Sequence, residues 1–261
     1  MRKSKHFSIV MVGAGNVATH LACALNEAGH TVTDVFSASE QSARALAEKT
    51  GSAWTTSPGR LPGASDFFII SVRDSAIESV VAGLGERQGM MLHTAGSAGM
   101  EIFKEQYSEY GVFYPFQTFR KEQDMDLSSV PFFIESNTEE GLLKIRTLAE
   151  SISNNVINSN LRERVLLHLS AAFACNFTTY MVRVAESILK QHGIDRSLLT
   201  PLLEETFRKL LIGPADKMQT GPATRGDSIT MKKHYELLAG NSDYQKLYNF
   251  ISELIQKHDK L

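Results

Sequence analysis

Apolar and polar positions along the first 160 residues follow two alternating periods. Short apolar runs rich in β-branched residues read as buried strands: Phe7-Ser-Ile-Val-Met-Val12, Thr31-Val-Thr-Asp-Val-Phe36, Asp66-Phe-Phe-Ile-Ile-Ser-Val72 and Gly89-Met-Met-Leu-His-Thr94. Between them lie segments with helical spacing, such as Leu21, Ala22, Ala24, Leu25 and Ala28 ahead of Gly29, and the stretches 39–50 and 75–84. A short strand near Ala53, two later ones at Gly111–Tyr114 and Val130–Glu135, and a helix over Thr138–Ser153 continue the series. Strands that alternate with helices predict an α/β fold with a doubly wound parallel sheet.

After about Asn160 the strand signal stops. Asn160 is placed to cap a long helix reaching Gln191, with Gly193 as its stop. A helix beginning at Asp195 or Ser197 should reach about Leu211, and two more should cover 230–238 and 243–258. The expected organisation is a Rossmann-type dinucleotide-binding domain over 1–158, an all-helical substrate and dimerisation domain over 159–261, and a cleft between them. Val165–Val182 carries no formal charge but includes His168, Ser170, Asn176, Thr178 and Thr179. It reads as a helix buried in protein or across a two-fold interface rather than as a membrane span, which predicts a homodimer.

Composition narrows the function classes. The chain has 261 residues, 43% hydrophobic and 21% charged, with 27 basic and 29 acidic side chains for a net charge of −2. That is ordinary for a soluble globular protein and argues against nucleic acid or an anionic membrane surface as the main partner. Cys23 and Cys175 form no C-x-x-C pair, and Met1–Lys5 is basic without a signal-peptide core behind it, so a reduced, cytoplasmic setting is expected.

The chemistry concentrates at Gly13-Ala-Gly15-Asn16-Val17-Ala18, a G-x-G-x-x-A turn between a strand and a helix. Gly13 allows the tight turn, Gly15 lets backbone approach a diphosphate, Ala18 lets helix and strand close, and the helix start at Asn16 and Val17 offers free N–H groups. At the tip of the second strand Ser37, Ser39 and Arg44 suit a 2′-phosphate. Asp34 stands two residues short of the place where an acid would bind a ribose diol, so the pattern favours NADP and leaves NAD open.

Loops leaving the other strand ends add Val72, His93, Thr94 and Gly96 as candidate cofactor contacts. His93 sits inside an apolar run and reads rather as a satisfied buried histidine. In the helical half His168, Asn176 and Arg225 are the candidate catalytic residues: a proton donor, a polar partner and an anchor for an anionic group. On an uninterrupted α-helix Asn176 would stand roughly 80° round the axis from His168. Asp227 is placed either to orient Arg225 or to cap the next helix. No H-E-x-x-H, C-x-x-C, G-x-S-x-G or P-loop pattern occurs, so neither a metal site nor those other chemistries is indicated.

As a set, the first glycine turn, His93-Thr-Ala-Gly96, Tyr114-Pro-Phe-Gln-Thr-Phe119, Leu167-His-Leu-Ser-Ala-Ala-Phe-Ala-Cys-Asn176 and Gln219-Thr-Gly-Pro-Ala-Thr-Arg225 resemble bacterial Rossmann-like proteins whose C-terminal part is the domain of unknown function 2520. That family looks like a branch of the superfamily of pyrroline-5-carboxylate reductase, 6-phosphogluconate dehydrogenase and ketopantoate reductase. The resemblance implies NAD(P) binding, a helical second domain and dimerisation through it. Several of those dehydrogenases place a lysine one turn before an asparagine on the first helix of that domain. Here the position is Ala172, so His168 or Lys209 would have to substitute. Two readings follow: an NADP-dependent oxidoreductase acting on a small anionic substrate, or a catalytically silent NAD(P)-binding sensor or scaffold.

Overall fold

The computed structural model describes residues 6–258, so the basic Met1–Lys5 segment lies outside it. Eight strands form one sheet: β1 (Ser8–Val12), β2 (Thr31–Phe36), β3 (Ala53–Thr55), β4 (Ala64–Ile70), β5 (Gln88–His93), β6 (Tyr110–Pro115), β7 (Phe132–Ser136) and β8 (Val156–Asn158). Their order is β3-β2-β1-β4-β5-β6-β7-β8. The central strands are apolar on both faces because helices cover both. Along β1, Ile9 and Met11 join the core cluster that includes residues of α1 (Asn16–Glu27), α2 (Glu40–Thr50) and α4 (Glu139–Glu150). Val10 and Val12 point the other way, into the cluster with α3 (Ile77–Leu84).

Every pairing is parallel except β6 with β7. The expected doubly wound parallel sheet is present, with β6–β7 as its one antiparallel pairing. The chain between Pro115 and Phe132 contains no helix to carry it back across the sheet, so β7 returns antiparallel. β8 escaped the sequence reading because three residues are too short to show a period.

By its contacts the chain divides into two compact units, residues 1–175 and 176–261. The first includes α5 (Leu161–Ala171), which begins where expected: Asn160 and Glu163 form a reciprocal capping box. A π-helical turn, Ala172–Phe177, follows, and α6 (Thr178–Gln191) runs on from it. Gly193, at φ +67°, ends the helix. The second unit adds α7 (Thr200–Ile212), α8 (Ser228–Leu237) and α9 (Ser242–His258). His234 Nδ1 and Tyr248 Oη, 3.0 Å apart, tie α8 to α9.

Val165–Val182, expected to be buried in protein or across a two-fold interface, is not buried within the single chain. None of the most apolar 18-residue window of the helix Leu161–Gln191 is buried, and with a mean hydropathy of 1.4 in that window the helix is long and apolar enough to cross a membrane by length and composition. Neither α6, α7 nor α8 contains a fully buried residue.

Candidate functional site

The carboxyl ends of β1, β4 and β5 converge on the glycine turn. Gly13 N–H donates to the Phe36 carbonyl at 2.7 Å, Ser71 N–H to Val12 at 2.8 Å and Thr94 N–H to Ile70 at 3.1 Å. Gly13 has φ +125°, and a Cβ there would stand 2.1 Å from the Ser71 carbonyl oxygen and 3.3 Å from Val72 Cγ1. Only glycine fits. Gly15 is exposed, and its Cβ would meet nothing within 4 Å. No side chain caps α1 at Gly15, and its first turn has no acid. This is an open cradle of amide donors at a helix start, with room where a Cβ would go, and it fits the diphosphate of a dinucleotide. Thr94 Oγ1 donates to Ser71 Oγ at 3.1 Å, so Gly13, Val72 and Thr94 lie in one neighbourhood.

At the tip of β2 the hydroxyls already have local work. Ser37 Oγ accepts from Ser39 N–H at 3.2 Å, and Ser39 caps α2 by accepting from Ser42 N–H at 3.3 Å. Arg44 pairs with Glu48 one turn on, at 2.9 Å, on an exposed helix face. An exposed i,i+4 pair is worth only a few tenths of a kcal/mol, so it opens readily for a phosphate.

A second polar cluster lies beyond β5. His93 is fully buried and accepts from Ala95 N–H through Nδ1, at 3.2 Å. It is buried as expected, and its Nε2 makes no hydrogen bond of normal geometry, the Gly99 backbone being the polar group that acts on the ring. Burial above all, with the positive Arg164 nearby, lowers its pKa to about 4, against weaker opposing effects of the Gly99 carbonyl and Asp74. Arg164, on α5, is itself fully buried. It donates to Glu135 at the end of β7 and, at 3.2 Å, to the Ala98 carbonyl. One turn further along α5, exposed His168 holds Tyr114, at the end of β6, through Nδ1 and the phenol oxygen, 3.1 Å apart. Burial, and secondarily Asp74, pushes the Tyr114 phenol up to about 12 against the pull of Arg164. Tyr114 therefore stays protonated, and its phenol can either donate to Nδ1 or accept from it, so the contact positions the His168 ring in both protonation states. Gly96 is a glycine because Tyr114 lies against it: a Cβ there would be 2.7 Å from the ring. Ser97 donates to Asp74, joining the loops after β4 and β5.

His93 gives a pH prediction with a definite sign. Its folded pKa is below its unfolded value near 6.5, so the unfolded chain binds the extra proton first. The stabilisation is complete above about 6.5 and is lost as pH falls towards 4, by roughly 3 kcal/mol. Urea unfolding between pH 4 and 7 should show a flatter dependence for His93→Gln than for the parent chain. Parallel curves would contradict this account.

Sequence reasoning missed Arg164, Glu135 and the partnership of Tyr114. The usable signal was spacing: Arg164 and His168 are four apart on one helix and share a face. Asn176 lies in the π turn and is exposed. A π turn breaks the 100° step, so the spacing argument separating Asn176 from His168 does not apply. Arg225 is exposed, and Asp227 caps α8 by accepting from Thr230 N–H at 3.0 Å. Lys209 pairs with Glu205 at 3.2 Å. Among the described residues no cluster of His, Cys, Asp and Glu could hold a metal ion.

Sheet order, glycine cradle and carboxyl-edge cluster together define a Rossmann-type nucleotide-binding protein. Residues 1–113 match the Rossmann-like domain and residues 130–255 the domain of unknown function DUF2520. A candidate NADP oxidoreductase of Bacteroides fragilis is 37% identical, with 97% of this chain and 98% of that one covered and a TM-score of 0.93. The chain belongs to this family of Rossmann-like proteins with a C-terminal DUF2520 domain. A Thermotoga maritima protein shares the fold at 23% identity, TM-score 0.80 and coverage of 97% and 100%. An imine reductase of Myxococcus stipitatus, solved with NADP+, shares it at 13%, TM-score 0.65 and coverage of 97% and 94%. Among curated proteins nothing matches.

Proposed function

We propose that the chain is an NADP-dependent oxidoreductase that reduces a small anionic carbonyl or imine compound. The carrying observation is the Tyr114–His168 pair at 3.1 Å, set among the loops that follow the sheet's carboxyl ends. Its family relative is described as a candidate NADP oxidoreductase, and fold relatives include imine reductases and a pyrroline-5-carboxylate reductase of Streptococcus pyogenes. Gly13, Gly15, Asn16 and Val17 hold the diphosphate. Ser37, Ser39 and Arg44 receive the 2′-phosphate, with NAD the weaker ligand. Val72, Thr94 and Gly96, with His93 beneath them, form the floor beside the nicotinamide. When bound, the cofactor supplies a hydride. A protonated His168 then gives one ring proton to the oxygen or nitrogen that becomes negative and returns to the neutral imidazole, while Tyr114 holds the ring in place. Asn176 and Arg225 are the polar candidates of the helical part, Arg225 being the one suited to an anionic group. The polar pair favours this over a silent sensor, whose site needs no proton donor.

NADPH should raise the melting temperature, by more than NADH at equal concentration. His168→Ala should keep that shift and lose NADPH oxidation with a panel of cyclic imines and keto acids. Full oxidation by this variant would remove His168 from the chemistry. Loss of folding would make it structural.

The chain forms a homodimer through its helical part and works in the cytoplasm. Exposed apolar side chains support this: Leu211 is 87% exposed, Leu237 74% and Ile229 71%. They lie on α7 and α8 and continue at Phe250 on α9, so a single membrane-spanning helix would leave them unexplained. Light scattering should give twice the chain mass. A concentration-independent monomer would refute the dimer.

A further inference from the structure

The long connection between β6 and β7 does more than reverse the chain. Phe119, Met125 and Leu127 pack into the core on the α1 side of the sheet, which draws the connection across α1. Two polar contacts then fix its middle. Lys121 N–H donates to Asn16 Oδ1 at 3.4 Å, at the first residue of α1. His20, one turn on, donates from Nε2 to the Arg120 carbonyl at 3.0 Å and lies against the Phe119 ring, with centroids 5.3 Å apart. A carbonyl only accepts, so the proton in that bond is the imidazole's. A turn closes the strap, Gln123 N–H donating to the Arg120 carbonyl at 3.0 Å.

The backbone of this strap is anchored while its two cations are free. Arg120 and Lys121 are both exposed, and among the described residues neither forms an ion pair. Glu122, Asp124 and Asp126 follow on the same strap but form no ion pair with them among the described residues, so both cations stay available to an anion at the amide-lined cradle. The cradle carries no acid of its own to neutralise them.

We propose that Arg120 and Lys121 form a cationic strap that closes on the diphosphate of the bound dinucleotide, opposite the Gly13–Asn16 amides. The inference rests on the dinucleotide reading and deepens it. It assigns this role to residues outside the glycine turn and remote in sequence from it. The backbone bond from Lys121 to Asn16 holds this residue beside the helix start, within side-chain reach of the diphosphate, whereas Arg44 on α2 serves the 2′-phosphate end. The diphosphate is common to NADPH and NADH, so the strap supplies affinity without choosing between them.

The test is fluorescence titration of the full chain with NADPH and with NADH, for the parent, Arg120→Gln, Lys121→Gln, the double variant, Lys121→Arg and Arg44→Gln. The double variant should bind both nucleotides about tenfold more weakly, by equal factors. Its affinity should also fall less steeply with added salt. Lys121→Arg should stay near the parent, and Arg44→Gln should weaken NADPH alone. Unchanged affinity of the double variant overturns the strap while leaving the nucleotide site standing. A loss confined to NADPH reassigns the cations to the 2′-phosphate and overturns the proposal. A lowered melting temperature of the ligand-free double variant makes the two side chains structural and overturns it as well. A parent chain that binds neither nucleotide overturns the dinucleotide reading and the strap together.

Discussion

Glu135→Ala is expected to destabilise the chain by about 3–5 kcal/mol, because it strands a charge that has no route to water. Arg164 is fully buried, its Nε already lacks a partner, and without Glu135 only the Ala98 carbonyl would face the guanidinium. Arg164→Met should be milder. It removes the charge itself, fills much of the volume, and leaves a carboxylate whose side chain is 21% exposed and can hydrate. Urea unfolding of the two variants measures the difference. Equal losses would assign the effect to lost volume rather than to the stranded charge. Because Arg164 and His168 share one face of α5, both variants should also loosen the Tyr114 contact, seen as a shift in the His168 ring resonances.

The two glycines of the first turn should separate folding from binding. Gly13→Ala combines φ +125° with a Cβ only 2.1 Å from a backbone oxygen of β4's continuation, and backbone cannot rotate away. A loss of about 3 kcal/mol is expected. Gly15 has φ −84° and ψ −167°, which any residue adopts, and open space around it. Gly15→Val should melt within about 2 °C of the parent yet show none of the ligand stabilisation, about 2.7 kcal/mol at a hundredfold excess over Kd, that NADPH gives the parent. An intact shift in Gly15→Val would place the nucleotide elsewhere.

The sheet was legible because its strands are buried on both faces and its helices on one, which writes two distinct periods into the sequence. The glycine turn was legible because backbone sterics admit one residue type at Gly13. The β6–β7 reversal was not, since strand direction depends on what the connection can span rather than on the strand's own pattern. The strongest polar contacts were hidden for a related reason. In α5 the buried residue is an arginine while Leu166 and Leu169 are exposed, so the apolar pattern points away from the face that meets the sheet. Tyr114 stood in plain view as a strand end, but its partner lies 54 residues away, and no local period encodes that. The π turn was equally silent: a helix with one residue too many in a turn keeps the composition of an ordinary one.

In the proposed homodimer a second copy covers the apolar faces of α6, α7 and α8, which hold no buried residue in the structure, and only then do those faces gain their favourable free energy. For the helical part, dilution then acts as a denaturant. Its melting temperature should climb with the logarithm of protein concentration, while the sheet, whose core is complete, melts at a fixed point. Two transitions with different concentration laws are the expected result for that homodimer, and a single unfolding free energy would not describe it.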